Sequence, residues 1–207
     1  MLPGKTNILK CSNCECNIEQ PTLLSGNTFG ATIWSDGKQD APMLPERHWL
    51  VKCPDCAKML WIDELEKIGE VIPYNRKENG FNSKPYQVPE FQEMISFLRS
   101  ENPNKKKESY LRTKIWWAGN DKRRGAEFPP EYASDEVENM NKLLEIMDDS
   151  KTNGRIMKGE LLRQLGKFDE SEKQFALVNE KNYEDVVAFL LNLVKAKNRY
   201  VAEIKTK

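Results

Sequence analysis

Two short cysteine motifs constrain this chain more than any other feature of its sequence. Cys11 and Cys14 form one CxxC motif, and Cys53 and Cys56 form a second one, separated from the first by thirty-eight residues. A CxxC turn places two sulfurs on one side of a metal ion, so two such turns supply the four tetrahedral ligands that zinc prefers. The sequence therefore predicts a structural zinc site with no open coordination position for chemistry.

Four cysteine sulfurs do not by themselves fix the metal, because a rubredoxin-like iron centre uses the same ligands. We expect zinc and keep iron as the alternative. A zinc tetrathiolate carries a net charge of about −2, which favours basic neighbours. Lys10, Lys52 and Lys58 stand close to the two motifs and would supply that positive charge.

A fifth cysteine, Cys16, extends the first motif to CxxCxC. A metal ion and Lys10 nearby would lower the pKa of its thiol and favour redox chemistry or ligand exchange. We favour the simpler interpretation, in which Cys16 is a small packed residue or an alternative ligand. A thiol-dependent enzyme that uses Cys16 is a weaker alternative.

Charge and motif content argue against several classes of protein. The 207 residues include 32 basic and 32 acidic ones, so the chain lacks the overall positive charge of a dedicated nucleic-acid binder. Phosphate-loop, zinc-protease and serine-hydrolase motifs are missing, and the one histidine, His48, is expected to make an ordinary hydrogen bond. We therefore predict no enzymatic activity.

Without a long apolar run or a signal-peptide pattern, we expect a soluble, cytoplasmic protein.

The first 70 residues show the order of elements of a zinc ribbon. A run rich in aromatic and β-branched residues, 27–34, precedes Asp36 and Gly37, and this combination predicts a β-hairpin. In its order of knuckle, hairpin, knuckle and strand the region resembles a zinc ribbon, with a longer spacing than is usual. The remaining predicted elements are extended stretches at 48–53 and 58–62 and an excursion near 42–45.

Beyond residue 62 the pattern becomes helical. We predict a short helix over 63–69, a linker over 71–89 that contains three prolines, and a helical domain over 90–207. The predicted fold class is α+β, a small β zinc ribbon followed by an all-α domain of helical hairpins. Its helices are indicated by apolar residues from Phe91 to Leu98, by a run at 110–118, by Ser134 as an N-cap, and by a long last helix over 183–204.

One stretch of the helical domain, about 152–185, resembles a tetratricopeptide repeat. Six positions carry the resemblance, namely Gly159, Gly166, Phe168, Ser171, Phe175 and Val178. It implies two antiparallel helices that cross at Gly159 and Ser171, although Tyr183 stands where the family has a proline. A single repeat does not bury its own faces and needs the helices on either side. The order of elements in the whole chain resembles that of uncharacterised bacterial proteins, and this resemblance implies no activity.

A basic, aromatic segment at 105–124 is the strongest sign of nucleic-acid binding. It has a net charge of +6, and the segment 131–150 that follows has −6. Stacking aromatics and cations would bind a single strand, whereas ion pairing between the two segments is the simpler account, and we favour it. The candidate binding residues are Lys105, Lys106, Lys107, Arg112, Trp116, Trp117, Arg123 and Arg124.

These observations together favour a non-catalytic zinc-binding protein that acts as a protein–protein interaction module, either an adaptor or an inhibitor. A helix that is apolar over much of its girth is buried on two sides or offers a surface to a partner protein. The last helix fits that description, and its candidate partner-binding residues are Val186, Phe189, Leu193 and Tyr200. A nucleic-acid-associated ribbon protein that uses 105–124 is the alternative.

Overall fold

The computed structural model describes residues 1–72 and 81–205. The chain divides into two compact units: unit 1 comprises Met1–Ala31 and Ala41–Glu93, and unit 2 comprises Thr32–Asp40 and Met94–Lys207. Small β-sheets come first along the chain and helices follow, so the α+β prediction is confirmed. Among the described residues, none of the helices has the eighteen-residue apolar stretch that crossing a membrane requires.

Unit 1 is built from strands. Its strands are β1 (Leu2–Lys10), β2 (Asn17–Ser25), β5 (Leu50–Lys52), β6 (Met59–Trp61), β7 (Glu66–Val71) and β8 (Ser83–Pro85). A four-stranded sheet has the order β7-β1-β2-β8, antiparallel except for the parallel pair β2 and β8, and β5 pairs with β6 in a separate antiparallel hairpin.

The pairing of strands in unit 1 makes each cysteine motif a hairpin turn. Lys10 lies opposite Asn17 at the end of β1 and β2, so residues 11–16 form the turn between those strands. Lys52 lies opposite Met59 in the same way, so residues 53–58 join β5 to β6. The core beside these turns consists of Leu9, Cys11, Ile18, Val51, Cys53, Leu60 and Ile62.

Unit 2 contains a short hairpin and the helical part of the chain. The hairpin pairs β3 (Thr32–Ile33) with β4 (Gln39–Asp40). Helix α1 (Phe91–Ser100) starts just before the boundary of the two units at Glu93. The remaining helices are α2 (Lys105–Asp121), α3 (Ser134–Ile146), α4 (Thr152–Gln164), α5 (Phe168–Phe175) and α6 (Glu184–Lys195).

The hairpin predicted around Asp36 and Gly37 forms, but it does not belong to the ribbon as the predicted boundary 1–70 required. Its turn is buried in unit 2, where Ser35 Oγ donates to Glu160 Oε1 at 2.7 Å and Arg124 Nη2 donates to Asp36 Oδ2 at 2.7 Å. Buried polar groups need such partners. The partners lie far along the chain, and for that reason the local hairpin signal placed these residues in the wrong unit.

Two predictions for residues 63–89 are wrong in part. The predicted helix over 63–69 is a single 3₁₀ turn, Ile62–Glu64, followed by strand β7, because five of the six residues of β7 gain partners along the edge of β1. The predicted linker is a strap of unit 1 where it is described: β8 pairs with β2, and Gln87 exchanges backbone hydrogen bonds with Lys52. The part of that prediction over 73–80 lies outside the described residues.

The helix ends also differ from the predicted ones at two places. Helix α3 begins at Ser134 but its N-cap is Ala133, whose N–H donates to Glu136 Oε2 at 2.7 Å. Helix α6 ends at Lys195 rather than near 204, with Lys197 in the left-handed region at φ 51°. Arg163 then holds the extended residues that follow, because its guanidinium donates to the carbonyls of Asn198 and Tyr200.

Helices α4 and α5 cross at the small residues that the sequence singled out. Ser171 Oγ donates to the carbonyl of Gly159 at 2.7 Å, and both residues are buried. A Cβ added at Gly159 would stand 2.5 Å from the Phe175 ring. The pair therefore has the close crossing that the resemblance implied, and its membership of the repeat family stays a prediction.

Replacing Gly159 with alanine is expected to destabilise unit 2 by about 1–2 kcal/mol. Overpacking against the fully buried Phe175 outweighs the gain of about 1 kcal/mol in helix propensity. Urea denaturation followed by far-UV circular dichroism measures the change. Lys173→Ala on the exposed face of α5 is the matched control, and equal midpoints for the two variants would contradict the close contact.

Candidate metal centre

The two cysteine turns share one backbone geometry. In the first, Cys11 N–H donates to the Cys16 carbonyl at 2.9 Å and Glu15 N–H donates to the Cys11 carbonyl at 3.0 Å. In the second, Cys53 N–H donates to the carbonyl of residue 58 at 2.9 Å, and the N–H of residue 57 donates to the Cys53 carbonyl at 3.1 Å. The turns are therefore structural equivalents, position by position, over six residues.

A left-handed residue follows the second cysteine of each turn. Glu15 has φ 61° and Ala57 has φ 58°, a region that costs a non-glycine residue roughly 1–2 kcal/mol. This conformation reverses the chain immediately after the sulfur, and in the first turn Asn13 N–H points at Cys11 Sγ, 3.4 Å away. The same unfavourable conformation at both places indicates that the two turns are built to present sulfurs.

All five cysteines meet at these turns. The sulfurs of Cys11, Cys14, Cys16 and Cys53 lie within 4.8 Å of one another, and Cys56 Sγ lies 3.9 Å from Cys11 Sγ. The cluster is compatible with a metal-ion site. Five sulfurs are therefore available for the four positions of a tetrahedral ion.

The distances between sulfurs distinguish two kinds of pair. A zinc–sulfur bond of 2.3 Å places the sulfurs of a tetrahedral site about 3.8 Å apart. Cys14 Sγ and Cys53 Sγ are 3.6 Å apart, and Cys11 Sγ and Cys56 Sγ are 3.9 Å apart, so both pairs match that edge. Cys16 Sγ is only 3.2 Å from Cys53 Sγ, closer than two ligands of one ion.

The cluster sits at the border between the core of unit 1 and solvent. Cys11 and Cys53 are buried among the core residues, Cys16 and Cys56 are half-buried, and Cys14 is exposed. The buried sulfurs hold the two hairpin turns against the core. The exposed side gives an ion and small molecules a route to the sulfurs.

Burial keeps two thiols of this cluster, those of Cys16 and Cys53, protonated in the absence of metal. It raises the pKa of Cys16 to about 11 and that of Cys53 to about 12. Cys56 behaves differently, because the backbone N–H of Lys58 and the neighbouring groups lower the pKa of its thiol to about 6. Since metal ligands are thiolates, metal uptake has to release the proton of Cys53.

Metal affinity is therefore expected to weaken as the pH falls. Below the thiol pKa, each ligand that must lose a proton adds about one decade to Kd per pH unit. Between about pH 8 and pH 7, Kd should rise about a hundredfold, because Cys14 and Cys53 both have a raised pKa and each has to lose one proton. Chelator competition at the two pH values measures Kd, and calorimetry in two buffers counts the protons released. A Kd that does not change with pH would contradict this assignment.

The basic residues beside the cluster are partly those that the sequence indicated. Lys10 pairs with Glu15 at 3.3 Å, and Lys52 pairs with Glu93 at 2.7 Å. Lys84, which sequence reasoning did not select, pairs with Asp55 in the second turn at 2.5 Å, and this carboxylate raises the pKa of its ammonium group. Its position follows from the pairing of β8 with β2, which no local pattern indicates.

The basic segment 105–124 does not form the solvent-facing stripe that strand binding requires. Trp116 is buried and its Nε1–H donates to Gln164 at 2.8 Å, and the half-buried Trp117 donates to the Asp36 carbonyl at 2.9 Å. Lys107 is buried, whereas Lys105 and Lys106 are exposed at the start of α2. Both tryptophans therefore hold unit 2 together.

The arginines of that segment are used in ion pairs. The buried Arg123 pairs with Glu136 at 2.7 Å, which joins the basic segment to the acidic one. Arg124 pairs with Asp36 at 2.7 Å, and the half-buried Arg112 pairs with Glu108 at 2.8 Å. Pairing between the two segments, the interpretation that we favoured, is present at Arg123.

The partner-binding residues predicted on the last helix are not an exposed patch. Val186, Phe189 and Leu193 are half-buried and pack against a core made of Phe175, Leu190 and Val194. Tyr200 lies beyond the end of α6, where its hydroxyl donates to Glu131 Oε1 at 2.7 Å and this contact raises its pKa. These four residues serve the packing of unit 2.

His48 is separate from the cysteine residues of the cluster. It is half-buried and meets the Tyr86 ring edge-on, with 6.0 Å between the ring centroids. Burial lowers the pKa of its imidazole.

No protein-family model matches the chain, and no curated protein or solved structure is significantly similar to it.

Proposed function

We propose that this chain is a non-catalytic zinc-binding protein in which Cys11, Cys14, Cys53 and Cys56 hold one structural zinc ion. The observation that carries this proposal is the equivalence of the two turns, because each has a cysteine at its first and fourth positions and the same pair of backbone hydrogen bonds at its first, fifth and sixth positions. The sulfur distances of 3.6 and 3.9 Å support it. Four thiolates saturate a tetrahedral ion, which leaves no position for a substrate.

The role of the ion is to cross-link two hairpins. Turn 11–16 belongs to the four-stranded sheet and turn 53–58 to the two-stranded one, and the hairpins meet in a small core. A small core supplies little stability by itself, and a metal cross-link replaces what is lacking. Iron fits the same ligands. Metal analysis of the purified protein, with about one zinc per chain expected, tests the choice of ion.

We place the interaction surface of this protein on unit 1 rather than on the last helix. Leu24 and Phe29 are 73% and 81% exposed, and Met43 and Leu44 are exposed as well. A Cβ added at Gly26 would stand 2.9 Å from Leu44, so the loop that follows β2 is in contact with the segment that carries Met43 and Leu44. Neighbouring exposed apolar side chains are a common feature of protein-binding surfaces.

A capture experiment tests the adaptor or inhibitor role. The zinc-loaded protein and its Leu24→Ser/Phe29→Ser variant are each incubated with nuclease-treated extract, and bound proteins are identified by mass spectrometry. We expect one partner that binds the wild type, resists nuclease and is lost with the variant. Leu177→Ser, an exposed leucine of unit 2, is the matched control and should retain the partner. A partner lost on nuclease treatment, or one retained by the variant, would refute this surface.

A further inference from the structure

Cys16, the fifth thiol of the cluster, lies at a turn position that is not a ligand position in the second turn. In the first turn, Cys16 is the residue whose carbonyl accepts the hydrogen bond from Cys11 N–H, and in the second turn Lys58 occupies that position. A lysine is not a zinc ligand of this kind of site. The equivalence of the turns therefore makes Cys16 a surplus thiol beside a complete ligand set.

Cys16 is also the thiol that is best placed to react with a ligand. Its sulfur is 3.2 Å from Cys53 Sγ, and a disulfide needs about 2.05 Å, so an approach of about 1 Å suffices. It is half-buried, whereas Cys53 is buried, so of the two a small oxidant reaches Cys16 more readily. The other close pairs, Cys14 with Cys53 and Cys11 with Cys56, are farther apart.

We propose that Cys16 is a peroxide-modified residue that converts the zinc site into a redox switch by forming a disulfide with Cys53. This inference rests on the proposed structural zinc site. The oxidant is a hydroperoxide, of which hydrogen peroxide is the simplest.

Two steps account for the atoms and electrons. The Cys16 sulfur attacks one peroxide oxygen, the O–O bond breaks, and a sulfenic acid and one water form. The Cys53 thiolate then attacks the Cys16 sulfur, the S–S bond forms, the S–O bond breaks, and hydroxide leaves as a second water after taking up a proton. Two sulfurs have given two electrons to the peroxide. Zinc has lost one of its four ligands and is released.

Formation of the Cys16–Cys53 disulfide changes how the two hairpins of unit 1 are joined. Cys53 begins the second turn, and Cys16 ends the first, so the disulfide keeps the two hairpins joined after the ion leaves. Unit 1 would remain cross-linked while Cys11, Cys14 and Cys56 become free thiols. A dithiol reductant reverses the disulfide and allows zinc to bind again.

The test uses the full-length, zinc-loaded chain treated with hydrogen peroxide, with zinc release followed by a chromogenic indicator. We expect release from the wild type and release slower by about tenfold or more from Cys16→Ser, which retains one zinc before oxidation. Disulfides are mapped by mass spectrometry after digestion with a protease that cleaves after glutamate and aspartate. Glu15 separates Cys16 from Cys14, and Asp55 separates Cys53 from Cys56, so a 16–53 disulfide gives a peptide pair different from that of any disulfide that uses Cys14 or Cys56.

The outcomes distinguish failure of the redox switch from failure of the proposed structural zinc site. A wild-type chain that binds no zinc refutes the structural site, and a missing 16–53 disulfide in that same chain refutes the switch independently. A Cys16→Ser variant that binds no zinc while Cys56→Ser still does would make Cys16 a ligand and overturn the surplus-thiol assignment. Equal rates of zinc release from wild type and Cys16→Ser would overturn the switch alone.

Discussion

Replacing Cys11 with serine is expected to abolish stoichiometric metal binding and to unfold the hairpins of unit 1. Cys11 is 1% exposed and belongs to both the ligand set and the core, so its loss removes a ligand and leaves a hydroxyl among apolar side chains. A ligand present at about 1,000 times its Kd stabilises the folded state by about 4 kcal/mol, and the variant loses that contribution.

Hydrogen exchange measured by mass spectrometry locates the effect of Cys11→Ser. Amides of β1, β2, β5 and β6 should lose protection, whereas those of α2 to α5 should keep it, because these helices have their own core. Cys16→Ser is the matched control, since it removes a thiol of the same cluster without removing a proposed ligand. Equal zinc content and equal protection in the two variants would show that the assignment of ligands is wrong.

Replacing Arg163 with methionine is expected to destabilise unit 2 by about 3–5 kcal/mol, because it leaves the carboxylate of Glu160 buried without its cation. Both side chains are fully buried, and Arg163 Nη2 lies 2.5 Å from Glu160 Oε1. The same guanidinium donates to the carbonyls of Asn198 and Tyr200, so the C-terminal segment also loses its attachment.

The double variant Glu160→Gln/Arg163→Met separates the unpaired charge from the other losses. Removing both charges should recover a large part of the stability that Arg163→Met loses, because an amide is far less costly to bury than a carboxylate. Urea denaturation followed by circular dichroism gives the midpoints. Arg99→Ala is the control: its pairs with Asp135 and Glu138 are largely exposed and should contribute at most about 1 kcal/mol. A loss for Arg163→Met no larger than that of Arg99→Ala would contradict the buried pair.

The cysteine cluster and most helices were predictable because their signals are local. The CxxC spacing is read within four residues, and the spacing of Phe91, Met94 and Ile95 indicates one turn of helix α1. The meeting of the two motifs followed from metal chemistry rather than from sequence, since four soft ligands favour a common ion. The cluster was therefore the part of the site that could be predicted from the sequence.

The rest required partners that lie far along the chain. Residues 63–69 contain good helix formers, yet β7 forms there because β1 offers an unpaired edge, as Gly69 opposite Ile8 illustrates. Strand β1 is absent from the predicted elements, and its Pro3 and Gly4 are residue types that are typical of turns. Long-range pairing overrides such local preferences. The third cysteine distance, between Cys16 and Cys53, also depends on how two distant hairpins pack.

Because unit 2 is built from two separate stretches of the chain, its first stretch is synthesised long before the residues that it contacts. Unit 1 has all its residues once Glu93 has emerged, whereas the turn at Asp36 waits for Arg124 and Asn120, which are made more than eighty residues later. A fragment that begins at Met94 would expose the same dependence, because Arg124 would face an empty site where the carboxylate of Asp36 belongs. The N-terminal third of the gene thus encodes a component of the helical unit as well as all five cysteines of the cluster.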